Sequence, residues 1–184
     1  MKNLFKLFLV LFASLLVFSC RDNDTPEDIH EHEGVEKMTV TLVEQGSGAE
    51  QVISYIGGVA DRNIVLENGK IYNVSLDFFH AHDDHYDSIL SEIVADKDEH
   101  FITYEFAGVE VNVTRAATDE VRTDGKKLGV RTVWTVATAP SSAKVGIKLY
   151  HKPTTVNQNR PSETNQQGSV TGGEADLNAL ITIQ

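Results

Sequence analysis

All seven histidines of this chain lie within or beside acidic stretches. They are His30, His32, His80, His82, His85, His100 and His151. The densest stretch runs from His80 to Asp87, in which every charged or titratable neighbour of the histidines is an aspartate or a tyrosine. Imidazole nitrogen and carboxylate oxygen together form the ligand set that Zn(II) and its transition-metal neighbours prefer. The residue types therefore point to metal binding.

Strand periodicity places several of these histidines at the ends of apolar rows. In an extended strand, residues of the same parity share one face. Three core-facing rows end in histidine: 72–78 at His80 and His82, 102–106 at His100, and 143–149 at His151. If successive strands alternate in direction, the three row ends meet at the same end of the fold. The sequence therefore predicts one site shared by separate strands.

We predict that this site binds a divalent transition metal, with Zn(II) as the first candidate. Its predicted ligands are His80, His82, His85, His100, His151, Asp83, Asp84 and Glu99. Histidine must be neutral to coordinate, so metal uptake should weaken as the pH falls through about 6.5. Calcium fits less well, because Asp83, Asp84 and Asp87 do not have the spacing of an EF-hand loop.

Other interpretations of the same residues stay open. A histidine at a strand end is also typical of a polar cap, and the stretch 80–87 has the composition of a solvated acidic loop. His30 and His32 lie in a segment that is either a weak collector of the same ion or a soluble tether.

The elements that must position these residues are β-strands. After residue 34 apolar and polar residues alternate with period two, and Gly, Asn and Asp interrupt the pattern at short intervals. The predicted strands are 35–44, 51–56, 64–66, 70–79, 101–106, 109–116, 130–137, 143–151 and 179–184. We predict an all-β fold, a single Ig-like antiparallel β-sandwich over residues 35–184.

Two segments depart from the strand pattern. Residues 86–94 carry apolar side chains at helical spacing, which predicts one short helix crossing an end of the sandwich. Residues 152–173 are rich in Asn, Gln, Thr, Ser and Gly, which predicts a long exposed loop. Trp134 lies in a strand pattern and is interpreted as sheet packing rather than as a sugar-binding platform.

The first nineteen residues have the form of a secretory signal, with Lys2 and Lys6 before an apolar run from 7 to 18. That run is too short for a spanning helix, which needs about 20 residues. It ends in Val17-Phe18-Ser19-Cys20, which resembles a bacterial lipobox. We predict a signal peptide over 1–19, lipid attachment at Cys20, and a flexible acidic tether over 20–34.

Composition excludes several function classes. The formal net charge is −11 at pH 7, which disfavours nucleic acid and anionic headgroups as partners. Cys20 is the only cysteine, so no disulfide forms within the chain. No dinucleotide-binding, P-loop or nucleophile-elbow motif occurs. A metal-dependent hydrolase would need an open coordination position and a base, for which Glu99 is the nominee. We predict that the protein is not an enzyme.

Short motifs through much of the chain resemble a family of small β-rich lipoproteins of Bacteroidota-type bacteria. The motifs are Ile89-Leu-Ser-Glu-Ile93 before Asp98-Glu-His-Phe101, Leu149-Tyr-His-Lys-Pro153, Gly173-Glu-Ala-Asp176 and Ile181-Thr-Ile-Gln184. The resemblance implies an outer-membrane lipoprotein, on the periplasmic or the cell-surface face, associated with a TonB-dependent receptor. Such proteins are sometimes labelled as having a type 1 periplasmic-binding fold. That α/β fold needs alternating helices, so the all-β pattern is preferred here.

Two functions follow as hypotheses. The first is a binding lipoprotein that captures zinc or a related ion and delivers it to an outer-membrane transporter. The second is a structural or adhesive surface module that presents its loop 152–173 to a protein or a glycan.

Overall fold

Alternating apolar residues build the strands of this protein, and most of them lie where the period-two pattern predicts. The structure, a computed structural model, describes residues 34–159 and 166–184. The strands are β1 (Lys37–Glu44), β2 (Glu50–Ile56), β3 (Val59–Ala60), β4 (Ile71–His82), β5 (His85–Ser88), β6 (His100–Ala107), β7 (Val111–Arg115), β8 (Arg131–Val136), β9 (Ala143–His151), β10 (Thr155–Asn157), β11 (Gln166–Gln167), β12 (Ser169–Thr171) and β13 (Glu174–Ile183). One short helix, α1 (Leu90–Ala95), lies between β5 and β6. The predicted all-β sandwich is confirmed.

The strands form two main antiparallel sheets. The larger has the order β3-β2-β1-β4-β8-β7, with β5 also paired to β4. The smaller has the order β11-β6-β9-β13. The chain therefore crosses between sheets after β6 and again before β9, so β6 and β9 become neighbours although two strands separate them in sequence. This crossing, rather than a simple meander, decides which strand ends lie side by side.

The core lies between the inward rows of both sheets. Val40, Leu76 and Trp134 come from the larger sheet, while Tyr104 and Ile147 come from the smaller one, and all five are buried. Trp134 is fully buried and meets Tyr104 and Phe106 edge to face, with ring centroids 5.7 and 5.0 Å apart. The interpretation of Trp134 as sheet packing is therefore confirmed.

The helix is shorter than the sequence predicts. Only Leu90–Ala95 is helical, whereas residues 86–88 belong to β5. The apolar spacing in 86–94 fits a helix, but Tyr86 also pairs with Ala81 across a two-residue turn. Strand pairing with the end of β4 therefore takes the first three residues of the predicted helix.

The predicted long exposed loop at 152–173 is wrong for its described part. β10 pairs with β12, and β11 adds to the edge of β6. Val156 and Gln167 are buried there, and Gly168 lies close to Phe101, which is itself buried on the outer face of β6. Polar composition gave no sign of these strands, because they are short and because β10 and β12 pair with each other within the segment.

The signal peptide, Cys20 and most of the tether lie outside the described residues. Within the described ranges, no helix is long and apolar enough to cross a membrane.

Candidate functional site

Four of the eight predicted ligands fall into two sets of side chains, each of which contains two histidines and one carboxylate. We call His82, His85 and Asp87 the hairpin group, and His100, His151 and Asp176 the strand-pair group. Both combine imidazole with carboxylate. His80 belongs to neither group as defined, and its Nδ1 lies 3.0 Å from Glu36 Oε2.

The hairpin group is built by a tight turn. β4 and β5 pair in a register that sets His82 opposite His85 and His80 opposite Asp87, with only Asp83 and Asp84 between the strands. Directly opposed residues of an antiparallel pair share a face. Beyond the core, the inward-facing side of β4 therefore continues with His80 and His82, which share this face with His85 and Asp87 of β5. Asp83 adopts a left-handed conformation with φ 52°, which Asp tolerates better than most residues.

The ligand atoms of the hairpin group already lie close together. One atom from each of His82, His85 and Asp87 falls within 4.8 Å of the others, and all three residues are exposed. His85 Nε2 is 3.2 Å from Asp87 Oδ2. Two ligands of a tetrahedral zinc ion lie roughly 3.4 Å apart, given metal bonds of about 2.0 to 2.1 Å. His85 and Asp87 therefore have the separation that two zinc ligands need.

Asp84 orients His85 instead of joining the group. Its Oδ1 lies 3.2 Å from His85 Nδ1. An ionised carboxylate only accepts hydrogen bonds, so a neutral ring that donates from Nδ1 to Asp84 has its lone pair on Nε2, the nitrogen that faces Asp87. Metal-binding histidines typically donate their second ring N–H to such an acceptor. Asp83 contacts His82 at 3.8 Å, beyond hydrogen-bond distance.

The strand-pair group forms where β6 begins and β9 ends. His100 and His151 are direct partners in the β6–β9 register. Their rings stack with centroids 5.1 Å apart and planes inclined by 14°. The two row ends predicted from parity therefore meet.

A β-bulge supplies the third member. The register of β13 against β9 shifts between Ala175 and Leu177, so Asp176 is the inserted residue of the bulge. Bulges re-aim side chains and are common beside functional sites. Here the Asp176 carboxylate comes within 3.9 Å of His100 Nε2 and 4.0 Å of His151 Nδ1. Gly173 permits the close approach before the bulge, since a Cβ there would lie 2.5 Å from the His151 carbonyl oxygen.

Surrounding groups hold the two rings in place. His100 Nδ1 lies 3.0 Å from the Asp96 carbonyl oxygen just after α1. Arg122 donates to the carbonyl oxygens of Lys97 and His100. Glu99 Oε2 is 3.4 Å from His151 Nε2, and the Lys152 N–H donates to the Glu99 carbonyl. The predicted residue Glu99 thus lies beside the strand-pair group.

Buried polar residues anchor the loop that carries Arg122. Asp119 accepts hydrogen bonds from the Gly129 N–H at 2.7 Å and the Arg131 N–H at 2.9 Å. Burial raises the pKa of the Asp119 carboxyl, although these bonds oppose the shift. Tyr104 donates to the Gly129 carbonyl at 2.6 Å, and burial raises its pKa, so its hydroxyl stays protonated.

The predicted ligand set does not include Asp87 or Asp176, although the predicted strand directions bring both to the same end of the sandwich as the histidines. Asp87 lies in the segment 86–94 for which apolar spacing predicts a helix, although its odd parity with His85 is a signal for a strand. Asp176 stands in the polar stretch before the last predicted strand, and no local pattern marks the bulge that aims it.

No protein-family model, curated protein or solved structure matches this chain. The resemblance to the lipoprotein family therefore stays a prediction.

Proposed function

We propose that this protein is a non-enzymatic, lipid-anchored protein of the bacterial cell envelope that binds a divalent transition metal, zinc first, at the hairpin group. One observation carries the proposal: His82, His85 and Asp87 bring a ligand atom each within 4.8 Å of one another. Two imidazoles and one carboxylate suit Zn(II), because nitrogen and oxygen donors at this count leave a fourth position for water or another ligand.

The exposure of the hairpin group suits uptake and release of an ion. The side chains of His82, His85 and Asp87 are 63%, 55% and 63% exposed. An ion bound there keeps contact with solvent and is accessible to a donor atom of another protein. Together with the predicted lipid at Cys20 and the family resemblance, this supports delivery of the ion to an outer-membrane transporter.

Calorimetric titration of the full chain in detergent with Zn(II), Cu(II) and Ni(II) tests the proposal. His30→Ala and His32→Ala are placed in every variant, so that the tether contributes no imidazole. We expect zinc binding tighter than about 0.1 mM, and at least about a tenfold loss in His85→Ala and in Asp87→Asn.

Asp83→Asn is the matched control, because it removes one carboxylate from the same hairpin but not from the group. It should change the affinity by less than about twofold, since exposed charges at longer range contribute little. Binding weaker than about 0.1 mM in the unsubstituted hairpin, or equal losses in Asp87→Asn and Asp83→Asn, would contradict the proposal.

A further inference from the structure

The hairpin group lies on a two-stranded arm, residues 80–88, that extends beyond the rest of the larger sheet. We call these residues the hairpin arm. β1 pairs with β4 as far as Phe79, and β8 pairs with β4 over residues 71–75. Within the described part of the chain, the last three residues of β4 therefore pair only with β5. A two-stranded hairpin by itself is marginally stable in water, so the arm depends on the contacts at its base.

Glu36, the residue just before β1, supports the face of the arm that carries the hairpin group. Its Oε2 accepts a hydrogen bond from the Ala81 N–H at 2.7 Å and lies 3.0 Å from His80 Nδ1. Its own N–H donates to the Phe79 carbonyl oxygen at 3.1 Å. His80 is the direct partner of Asp87 in the register, so Glu36 holds the pair of residues next to the ligands.

Lys37, the first residue of β1, supports the opposite face of the arm. Its Nζ lies 4.5 Å from the centroid of the Phe79 ring and 5.1 Å from that of the Tyr86 ring. Phe79 belongs to β4 and Tyr86 to β5, and a cation over an aromatic face is attracted to it. Lys37 therefore connects both strands of the arm to β1.

Support at the base matters because the side chains of the hairpin group are exposed. Exposed side chains on an arm that moves must be ordered when an ion binds, and this ordering reduces affinity. An arm whose backbone is already fixed loses less freedom on binding. Contacts that fix the arm should therefore strengthen ion binding without touching the ion.

We propose that Glu36 and Lys37 are positioning residues that set the ion affinity of the hairpin group by holding the arm from both faces. This inference rests on the proposed function. The two residues reach opposite faces because consecutive residues of an extended strand point to opposite sides. They also come directly after the predicted tether, which ends at residue 34.

The coupling between these contacts and the ion is reciprocal. Whatever factor the contacts of Glu36 and Lys37 add to ion affinity, a bound ion adds to the stability of the contacts. Ion binding and the attachment of residues 36–37 to the arm therefore form one coupled equilibrium. The start of the domain, next to the tether, regulates how firmly the ion is held.

Calorimetric titration with Zn(II) tests the proposal on the full chain in detergent, with His30→Ala and His32→Ala in every variant. We expect Glu36→Ala and Lys37→Met each to weaken zinc binding at least about threefold. The conservative variants Glu36→Gln and Lys37→Arg keep an acceptor and a cation, so each should stay within about twofold of the unsubstituted arm.

Glu44→Ala is the matched control, because Glu44 lies at the other end of β1. It accepts a hydrogen bond from Lys70 Nζ at 2.7 Å, so the variant also removes a carboxylate contact of the same strand. Zinc affinity should change by less than about twofold, since Glu44 does not touch the arm.

Hydrogen exchange of the Ala81 amide gives a second readout, because this N–H donates to Glu36. Saturating zinc should slow its exchange at least about threefold in the unsubstituted arm and in Glu44→Ala. Without zinc, exchange should be faster in Glu36→Ala and in Lys37→Met than in the control. A purely structural role would change exchange without any dependence on zinc.

The outcomes separate this inference from the proposed function. Zinc binding of unchanged affinity in Glu36→Ala and Lys37→Met overturns the positioning role and leaves the hairpin group standing as a zinc site. An equal loss in Glu44→Ala, or zinc that leaves Ala81 exchange unchanged, also overturns it. Absence of zinc binding in the unsubstituted arm overturns the proposed function itself, and the positioning role with it.

Discussion

The hairpin group and the strand-pair group use the same chemical groups but are assembled in opposite ways. His82 and His85 lie three residues apart and meet through one turn, whereas His100 and His151 lie 51 residues apart and meet only because β6 and β9 pair. The side chains of the hairpin group are exposed, and those of the strand-pair group are nearly buried. A local turn therefore creates an accessible cluster of imidazole and carboxylate groups, while pairing within the sheet creates an enclosed one.

The difference has an energetic consequence. Exposed side chains lose rotamer freedom when they bind an ion, which reduces affinity. The nearly buried side chains of the strand-pair group are already ordered, but their nitrogen and oxygen atoms have lost most of their contact with water. Substitutions in the two groups should therefore affect stability and binding in different proportions.

The largest expected effect separates the groups by stability. His100→Ala removes a buried ring that stacks on His151 and bonds to the Asp96 carbonyl, so we expect a loss of about 2–3 kcal/mol. His82→Ala removes an exposed ring and should cost less than about 0.5 kcal/mol. Urea unfolding with a chelator present measures both values. Similar losses in the two variants would remove the contrast between the groups.

The next effect concerns the loop behind the strand-pair group. Asp119→Asn leaves one buried N–H, of Gly129 or Arg131, facing an amide N–H₂, which should cost about 1–3 kcal/mol. Because the pKa of Asp119 is raised in the folded state, the folded protein binds this proton more tightly than the unfolded chain does. The contribution of Asp119 to the free energy of unfolding therefore falls as the pH rises from about 3.9 through the folded-state pKa. Urea unfolding across acidic pH should show that the variant lacks this fall; an unchanged pH profile would contradict it.

A smaller change in stability is expected in the turn between β4 and β5. Asp83→Gly relieves the left-handed conformation at φ 52° but makes the unfolded chain more flexible, so the net gain should stay below about 1 kcal/mol. Thermal unfolding measures the gain, and zinc titration should show unchanged affinity because Asp83 is outside the hairpin group. A destabilised variant, or one with altered affinity, would mean that Asp83 does more than form the turn.

The smallest effect is expected at the exposed residue Asp98. Asp98 accepts hydrogen bonds from the Thr123 N–H and hydroxyl, and chiefly the backbone bond lowers its pKa. Its folded-state pKa lies below the unfolded value, so it stabilises the fold above about pH 3.9 and loses that contribution as pH falls through the folded pKa. Asp98→Asn should make the acid limb of the stability profile shallower. Thr123→Ala keeps the backbone bond and should retain most of the slope.

Much of the fold was predictable because strand parity is a local property. The row from Tyr72 to Phe78 is buried at each even position, as the alternation predicts. The predicted secondary structure is wrong where a segment fits both a helical and a strand pattern, and where polar composition suggests a loop although strands form. Residues 86–88 satisfy helical spacing and strand pairing alike, and residues 155–157 pair with 169–171 despite their polar composition.

The amino-acid sequence by itself determined which residues face the core and that histidines end three of those rows. Only the tertiary structure decided that His100 meets His151, that His85 and Asp87 join the face of His82, and that a bulge aims Asp176 at two rings. The physical reason is the distance along the chain over which each feature is decided. Side-chain alternation follows from the geometry of a single strand, whereas register and bulges depend on pairing between residues far apart in the chain.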